Sequence, residues 1–244
     1  MKKVIKIENL NFGYDKNLVL ENIDLDVFES DFLGIIGPNG SGKTTLIKLM
    51  LGILSPTSGK ISILDENPKK AQEKISYVPQ FGQMEKSFPI KAKSVVEMGL
   101  CGKKSFLPWT KKEDIVKIEK AMKHVDILDL AEKPFGELSG GQQQRCLIAR
   151  AIVSEPKILL LDEPTASVDS SVEEDIFKLL KKLNNEITII LISHDIGFIS
   201  SYVNRIACVN KNLVCHNVDD MKIDNIMKDS YSNEVSIIHH KCGL

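Results

Sequence analysis

Residues 37–45 read Gly-Pro-Asn-Gly-Ser-Gly-Lys-Thr-Thr, and that spacing narrows the possible folds more than any other stretch. It fits G-x-x-x-x-G-K-[ST], the phosphate-binding loop pattern. Glycines at 37, 40 and 42 let the backbone turn tightly and approach a ligand without Cβ clashes. The N–H groups of the loop then converge on phosphate oxygens at the positive end of the helix that follows. Lys43 brings a mobile positive charge for the β- and γ-phosphates, and Thr44 a hydroxyl for Mg²⁺. The pattern requires a strand before it and a helix after it. Phe32-Leu33-Gly34-Ile35-Ile36 is a short apolar run suited to a buried parallel strand. Thr45 to Leu51 reads as a helix, with Gly52 placed to end it. Gly37, Pro38, Asn39, Gly40, Ser41, Gly42, Lys43, Thr44 and Thr45 are therefore the expected nucleotide-phosphate site.

A loop of this kind needs a large α/β core around it. The chain's 244 residues, 43% hydrophobic and 27% charged, suffice for one, with room for a small subdomain. A net charge of −1 gives no reason for bulk binding to nucleic acid or to an acidic membrane surface. The cysteines at 101, 146, 208, 215 and 242 form no C-x-x-C pair, which favours a reducing compartment over a disulfide framework. Met1 to Lys6 lacks the apolar region of a signal peptide. No apolar run approaches the roughly 18 residues that a membrane helix needs. The expectation is a soluble or peripheral protein.

Ile158-Leu159-Leu160-Leu161-Asp162-Glu163 is an apolar run ending in two carboxylates. A buried strand that delivers acids at its C-terminal end is the Walker B arrangement. Asp162 is expected to hold Mg²⁺ through its water shell, and Glu163 to act on an attacking water as general base. Leu138-Ser139-Gly140-Gly141-Gln142 precedes a helix over 143–153. Ser139 is a good N-cap type, and Gly140 and Gly141 bare the backbone at the positive end of the helix dipole, a second anion site apart from the first. Ile187–Ile192 is another buried strand. It ends at Ser193-His194-Asp195, where His194 is placed to sense a γ-phosphate. Ile75-Ser76-Tyr77-Val78-Pro79-Gln80 reads as another strand, stopped at its end by proline, with Gln80 at the same kind of terminus. Tyr14, after a strand over 3–10, is either an adenine-stacking ring or a half-buried core tyrosine. Ser167-Val168-Asp169 opens a helix to about residue 183, capped by Asp169 or Ser170.

From about 81 to 137 helical patterns rich in lysine replace the strands. Ile115, Ile118, Met122 and Val125 recur at helical spacing and read as one packing stripe. Phe81, Phe88, Pro89, Pro108 and Trp109 lie among polar loops and read as a docking surface or as local cores. Ile206–Val209 and Leu213–Cys215 form a hairpin about Asn210-Lys211-Asn212. The polar end of the chain carries His239, His240 and Cys242. Imidazole and thiolate are zinc donors, so these three, with a fourth ligand from Cys215-His216, are candidates for a weak regulatory zinc site, set against the plain polar terminus that is the first expectation.

Gly37–Thr44, Gln80, Leu138–Gln142, Ile158–Glu163, Asp169 and His194, in this order, resemble the nucleotide-binding subunit of an ATP-binding-cassette transporter over residues 3 to about 215. The resemblance implies an α/β P-loop NTPase fold: a mixed sheet with helices on both faces, an antiparallel β edge and an inserted α-helical subdomain. As domains it implies a RecA-like core over 1–84 and 154–216, a helical signature subdomain over 85–153 and a tail over 217–244. The ligands it implies are ATP and Mg²⁺. Tyr14 then resembles the adenine-stacking aromatic, Gln80 the residue that contacts Mg²⁺ and senses the membrane partner, Asp169 the D-loop aspartate and His194 the switch histidine. Two cassettes would face head to tail, each signature covering the ATP on the other's P-loop. The homodimer would sit peripherally on the cytoplasmic face of the membrane. It would dock integral-membrane permease subunits on its helical insert, serve an extracytoplasmic solute-binding protein indirectly, and bind no nucleic acid.

Tyr77-Val78-Pro79-Gln80, Phe88-Pro89-Ile90, Glu97-Met98-Gly99-Leu100, the segment Cys208 to His216 and the His-His tail resemble the zinc and manganese importer cassettes, zinc first. The alternatives are a cassette of another importer, such as one for an iron chelate, and a soluble cassette ATPase outside transport. About 95 residues separate Thr44 from Ser139, too few for the long coiled-coil arm of DNA-repair cassettes. A single motif set with no basic excess argues against the translation type. In a P-loop kinase the signature and the Asp-Glu pair would have no role.

Overall fold

The computed structural model describes residues 2–15, 17–80, 89–103, 111–166 and 168–218. In order, these form β1 (Lys3–Tyr14), β2 (Asn17–Phe28), β3 (Phe32–Ile36), α1 (Lys43–Met50), β4 (Ser58–Ile63), α2 (Pro68–Ala71) and β5 (Ile75–Val78). They continue with α3 (Ala92–Glu97), α4 (Lys112–His124), α5 (Gly140–Ile152), β6 (Ile158–Asp162), α6 (Ser170–Leu183), β7 (Thr188–Ile192), α7 (Ile196–Ile199), β8 (Arg205–Asn210) and β9 (Asn212–Asn217).

One sheet has the order β5-β6-β7-β3-β8-β9; it is parallel except for β9, which returns antiparallel beside β8. The other is antiparallel, in the order β2-β1-β4. Together they make the mixed α/β architecture expected of the P-loop class, with an antiparallel edge.

The central strands are apolar throughout because both of their faces are covered. Phe32, Ile36, Leu159, Leu161, Ile189 and Leu191 face one core, shared with α3, α4, α5 and α6. Leu33, Ile35, Leu160, Ile190 and Ile192 face the other, shared with α1 and the antiparallel sheet. On β3, Phe32, Leu33, Ile35 and Ile36 are all at 0% exposure. At about 2 kcal/mol for each such side chain, this one strand supplies roughly as much as the whole net stability of a typical domain. The strand that launches the phosphate loop is thus anchored in both cores.

Several boundaries differ from those expected. β1 runs on through Tyr14 because β2 pairs with it to the tip, Phe12 opposite Leu20 and Tyr14 opposite Asn17. α5 begins at Gly140, three residues early, because Ser139 and Gln142 form a reciprocal capping box. The cap of α6 is Asp169, with no side-chain capping bond. Of the stripe expected on α4, Ile118, Met122 and Val125 are buried and Ala121 joins them, but Ile115 is 46% exposed. Ile115 lies in the first turn of the helix, before the buried i, i+3, i+4, i+7 face starts at Ile118. Phe81, Phe88, Pro108 and Trp109 lie outside the described residues; Pro89 is exposed.

Candidate active site at the strand ends

β3, β5, β6 and β7 run parallel and finish on one side of the sheet, so their C-terminal extensions converge. β3 ends in the phosphate loop, β5 leads to Gln80, β6 to Asp162 and Glu163, and β7 to His194. In the loop, Gly37 has φ 151°, and a Cβ there would fall 2.0 Å from the carbonyl oxygen of Val209. Gly42 caps α1 at φ 102°, and its Cβ would meet Leu20 Cδ2 at 2.7 Å. Both positions therefore need glycine for conformation and for space. Lys43 is buried, and its Nζ donates to the carbonyl oxygens of Gly37 at 2.8 Å and Pro38 at 2.9 Å. Burial lowers the Lys43 pKa, and the charges of Glu163 and Asp162 oppose that shift. Ser41 Oγ is buried in the same loop with no hydrogen-bond partner among the described residues.

Asp162 is 5% exposed. Its Oδ2 accepts from Thr44 Oγ1 at 3.1 Å and from the Tyr77 hydroxyl at 3.4 Å. Burial raises the Asp162 pKa, and the Thr44 hydrogen bond opposes it. Burial, with the Asp162 charge behind it, pushes the Tyr77 phenol up to about 12, so this hydroxyl keeps its proton and acts as a donor. Thr44 Oγ1, the Asp162 carboxylate and the Gln80 carboxamide are all oxygen donors, the set a hard divalent cation prefers. Among the described residues no cationic side chain makes an ion pair with the buried Asp162 carboxylate, and a donor set of this kind fits Mg²⁺.

Glu163 breaks with its neighbour. Its φ of 47° is left-handed, and its N–H donates to the Ile192 carbonyl at 3.1 Å, tying it to the end of β7. The side chain thereby reaches the groups on either side. Gln80 Nε2 donates to Glu163 Oε2 at 2.7 Å, and His194 Nε2 meets Glu163 Oε1. The expected cluster of Gln80, Asp162, Glu163 and His194 beside Lys43 and Thr44 thus forms, although Gln80 reaches Glu163 and not Asp162.

Ser139, Gly140, Gly141 and Gln142 stand apart. Ser139 Oγ accepts from Gln142 N at 3.4 Å, and Gln142 Oε1 from Ser139 N at 3.0 Å. Among the described residues, no hydrogen bond or ion pair joins this helix start to the phosphate loop. Gly141 packs on Val172, where a Cβ would lie 2.4 Å from Cγ1. Tyr14 is 47% exposed and meets Phe12 edge-on, with ring centroids 5.0 Å apart. It is a surface aromatic on the hairpin whose Val19 and Leu20 lie against Gly42. Asp169 is exposed at the head of α6.

The ABC transporter profile matches residues 20–166 of this chain. The chain belongs to the ABC transporter family. The zinc uptake system ATP-binding protein ZurA of Listeria monocytogenes is 42% identical over 219 residues, covering 88% of this chain and 85% of that one. The manganese transport system ATP-binding protein MntB of Bacillus subtilis is 35% identical over 240 residues, covering 97% and 96%. Among solved structures, the dimeric ATP-binding cassette MJ0796, bound to ADP and Pi, superimposes with a TM-score of 0.72 at 28% identity, covering 88% of this chain and 98% of that one. This ABC cassette is an ATP-binding ATPase of a family whose members dimerise and partner with a membrane permease. Among its described residues, no helix is long and apolar enough to cross a membrane.

Two features of this cassette escape a reading of its motifs. Tyr77 joins the Asp162 cluster through strand register, which is invisible until β5 is known to lie beside β6. The left-handed turn at Glu163 has no marker, since glutamate is not a residue that signals positive φ. Of the ligands weighed for a zinc site at the tail, Cys215 and His216 lie among the described residues. Cys215 Sγ accepts from Arg205 Nη2 at 3.1 Å, and His239, His240 and Cys242 lie outside the described residues.

Proposed function

We propose that this cassette is the ATP-hydrolysing subunit of an importer of divalent metal ions, with zinc the first cargo to test and manganese the second. What supports the cargo is the pair of relatives named for zinc and for manganese transport. What supports the chemistry is one arrangement above all: Glu163 held by Gln80 on one carboxylate oxygen and by His194 on the other, at the strand ends around the phosphate loop.

In this reading the loop amides from Gly37 to Thr45 and the α1 N-terminus cradle the ATP phosphates. Lys43 exchanges its two loop carbonyls for β- and γ-phosphate oxygens, and Ser41 Oγ gains a partner. Tyr14 stacks on adenine. Thr44, Asp162 and Gln80 hold Mg²⁺, which supplies charge neutralisation on the phosphates. Glu163 takes a proton from water as that water attacks the γ-phosphorus; the bond to the β–γ bridging oxygen breaks, and ADP leaves with the electron pair. His194 and Gln80 hold the base in place, and each makes its contact only while its own strand end is in position. The partner subunit's Ser139, Gly140 and Gly141 complete the phosphate shell, and Asp169 lies near that junction. Closure of the dimer then depends on ATP, and hydrolysis reopens it. A permease docked on the helical insert at the cytoplasmic face converts that cycle into uptake, with a solute-binding protein delivering the metal outside.

Glu163→Gln tests the centre of this reading. ATP binding is expected to persist while turnover falls by about a hundredfold or more, as loss of a general base implies. Near-normal turnover of the purified, ATP-saturated variant removes Glu163 from that role. Uptake of radioactive zinc and manganese in cells carrying wild-type or Glu163→Gln protein separates the two cargoes.

A further inference from the structure

We infer that Tyr77 is a positioning residue for the nucleotide's metal ion, its hydroxyl fixing the Asp162 carboxylate that holds the cation. The inference rests on the reading of Thr44 and Asp162 as Mg²⁺ donors. In the parallel pairing of β5 with β6, Tyr77 lies opposite Leu160. Paired residues on neighbouring strands share a face, and so do residues two apart on one strand. Tyr77, Leu160 and Asp162 therefore point to the same side of the sheet. The half-buried Tyr77 ring packs against the core that contains Leu160 and residues of α1, and its hydroxyl donates to Asp162 Oδ2 at 3.4 Å.

Thr44 Oγ1 donates to the same oxygen at 3.1 Å. No other hydrogen bond to this carboxylate occurs among the described residues, so Oδ2 is tethered twice and Oδ1 not at all. The two tethers are not equivalent. Thr44 is itself a cation donor, on a residue of α1 that is exposed at the end of the phosphate loop. Tyr77 is not a donor to the cation, and its half-buried ring packs against the core from β5. It is the one anchor of Asp162 that does not depend on what the loop binds. Partners of this kind, behind a ligating carboxylate, typically carry about 10–100-fold in metal affinity.

The test is Tyr77→Phe in the full chain, which keeps the ring and removes the hydroxyl. ADP affinity is measured by calorimetry with Mg²⁺ and with EDTA, and the melting temperature without nucleotide. The expected result is about a tenfold loss of ADP affinity in Mg²⁺, no change in EDTA and no change in melting temperature. The Mg²⁺ concentration that half-saturates ATPase activity should rise by a similar factor. Wild-type affinity in Mg²⁺ overturns the inference. Equal losses in Mg²⁺ and EDTA also overturn it, since they mark a purely structural role. If wild-type protein binds ADP equally well in Mg²⁺ and EDTA, the assignment of Thr44 and Asp162 fails first and the inference falls with it.

Discussion

On a continued strand, Glu163 would turn its side chain to the sheet face opposite Asp162 and bury a carboxylate among leucines. The left-handed φ of 47° prevents this, at a cost of order 1 kcal/mol for a non-glycine residue. The bond from Glu163 N–H to Ile192 and the contacts with Gln80 and His194 offset that cost. Lys43 shows the converse economy, in which a buried ammonium satisfies itself on two loop carbonyls. Lys43→Ala should leave the fold intact, weaken ATP binding and abolish hydrolysis, because the loop's own positive charge for the β- and γ-phosphates is gone. Unchanged nucleotide affinity by calorimetry contradicts the phosphate-loop assignment. The thiols give a separate check on burial. Cys146 is buried and its pKa is pushed up to about 12, whereas Cys101 is exposed. At pH 8, iodoacetamide followed by peptide mass spectrometry should find Cys101 alkylated and Cys146 untouched until denaturant is added.

At the scale of elements, the helical insert is fastened by close approach. A Cβ on Gly99 would lie 1.9 Å from the Arg150 carbonyl oxygen and 2.6 Å from Val153 Cγ1. The 3-10 turn after α3 therefore touches the backbone of α5 directly, and a carbonyl on a helix has nowhere to go. Gly99→Ala should lower unfolding stability by about 3 kcal/mol or more; a urea midpoint equal to wild type shows that α3 and α5 can part without cost. A second fastening joins β2, β3 and β8. Asp31, 4% exposed, accepts from Phe28 N–H at 2.9 Å and from Arg205 Nη1 at 2.7 Å, and Arg205 also reaches the Asp26 carbonyl at 2.8 Å. Asp31→Ala removes the carboxylate partner of a part-buried guanidinium that keeps its bonds to the Asp26 carbonyl and Cys215 Sγ, and leaves the Phe28 N–H unpaired; it should cost about 1–3 kcal/mol, read from the same denaturation curves. Neither fastening is legible in the chain alone. Strands such as Phe32–Ile36 and Ile158–Asp162 are, because burial on both faces writes continuous apolar runs, and so are residues with a spacing rule, from Gly37 to Thr45. Gly99, Asp31 and Tyr77 depend instead on which elements lie side by side. That is long-range information, and no local pattern encodes it.

At the scale of the whole cassette, no hydrogen bond or ion pair among the described residues joins the phosphate loop to the start of α5. The phosphate loop carries Lys43 and Thr44, while the start of α5 carries Ser139 and the bare amides of Gly140 and Gly141. Each capping-box group at that start is satisfied internally, so what α5 offers outward is its first-turn N–H groups and its dipole. A head-to-tail dimer would place them on the other chain's γ-phosphate, and mixing variants distinguishes that arrangement from two independent active sites. Ser139→Arg puts a bulky cation where the partner's phosphate would sit. Loss of the Ser139 cap costs only about 1 kcal/mol, too little to unfold the chain, so nucleotide binding to the monomer should survive while ATPase activity is lost. Lys43→Ala should be inactive for a different reason, at the phosphate loop. In a mixed dimer, one site combines an intact phosphate loop with an intact signature, and the other combines the two defects. If dimers assort at random and sites act independently, an equal mixture should recover about a quarter of wild-type activity. A mixture as inactive as its components, with heterodimers demonstrated by differential tagging, means either that both sites must fire together or that the signature does not act across the interface. Disulfide capture between Ser139→Cys on one chain and Asn39→Cys on the other separates these, because only a head-to-tail dimer brings those two positions within bonding distance.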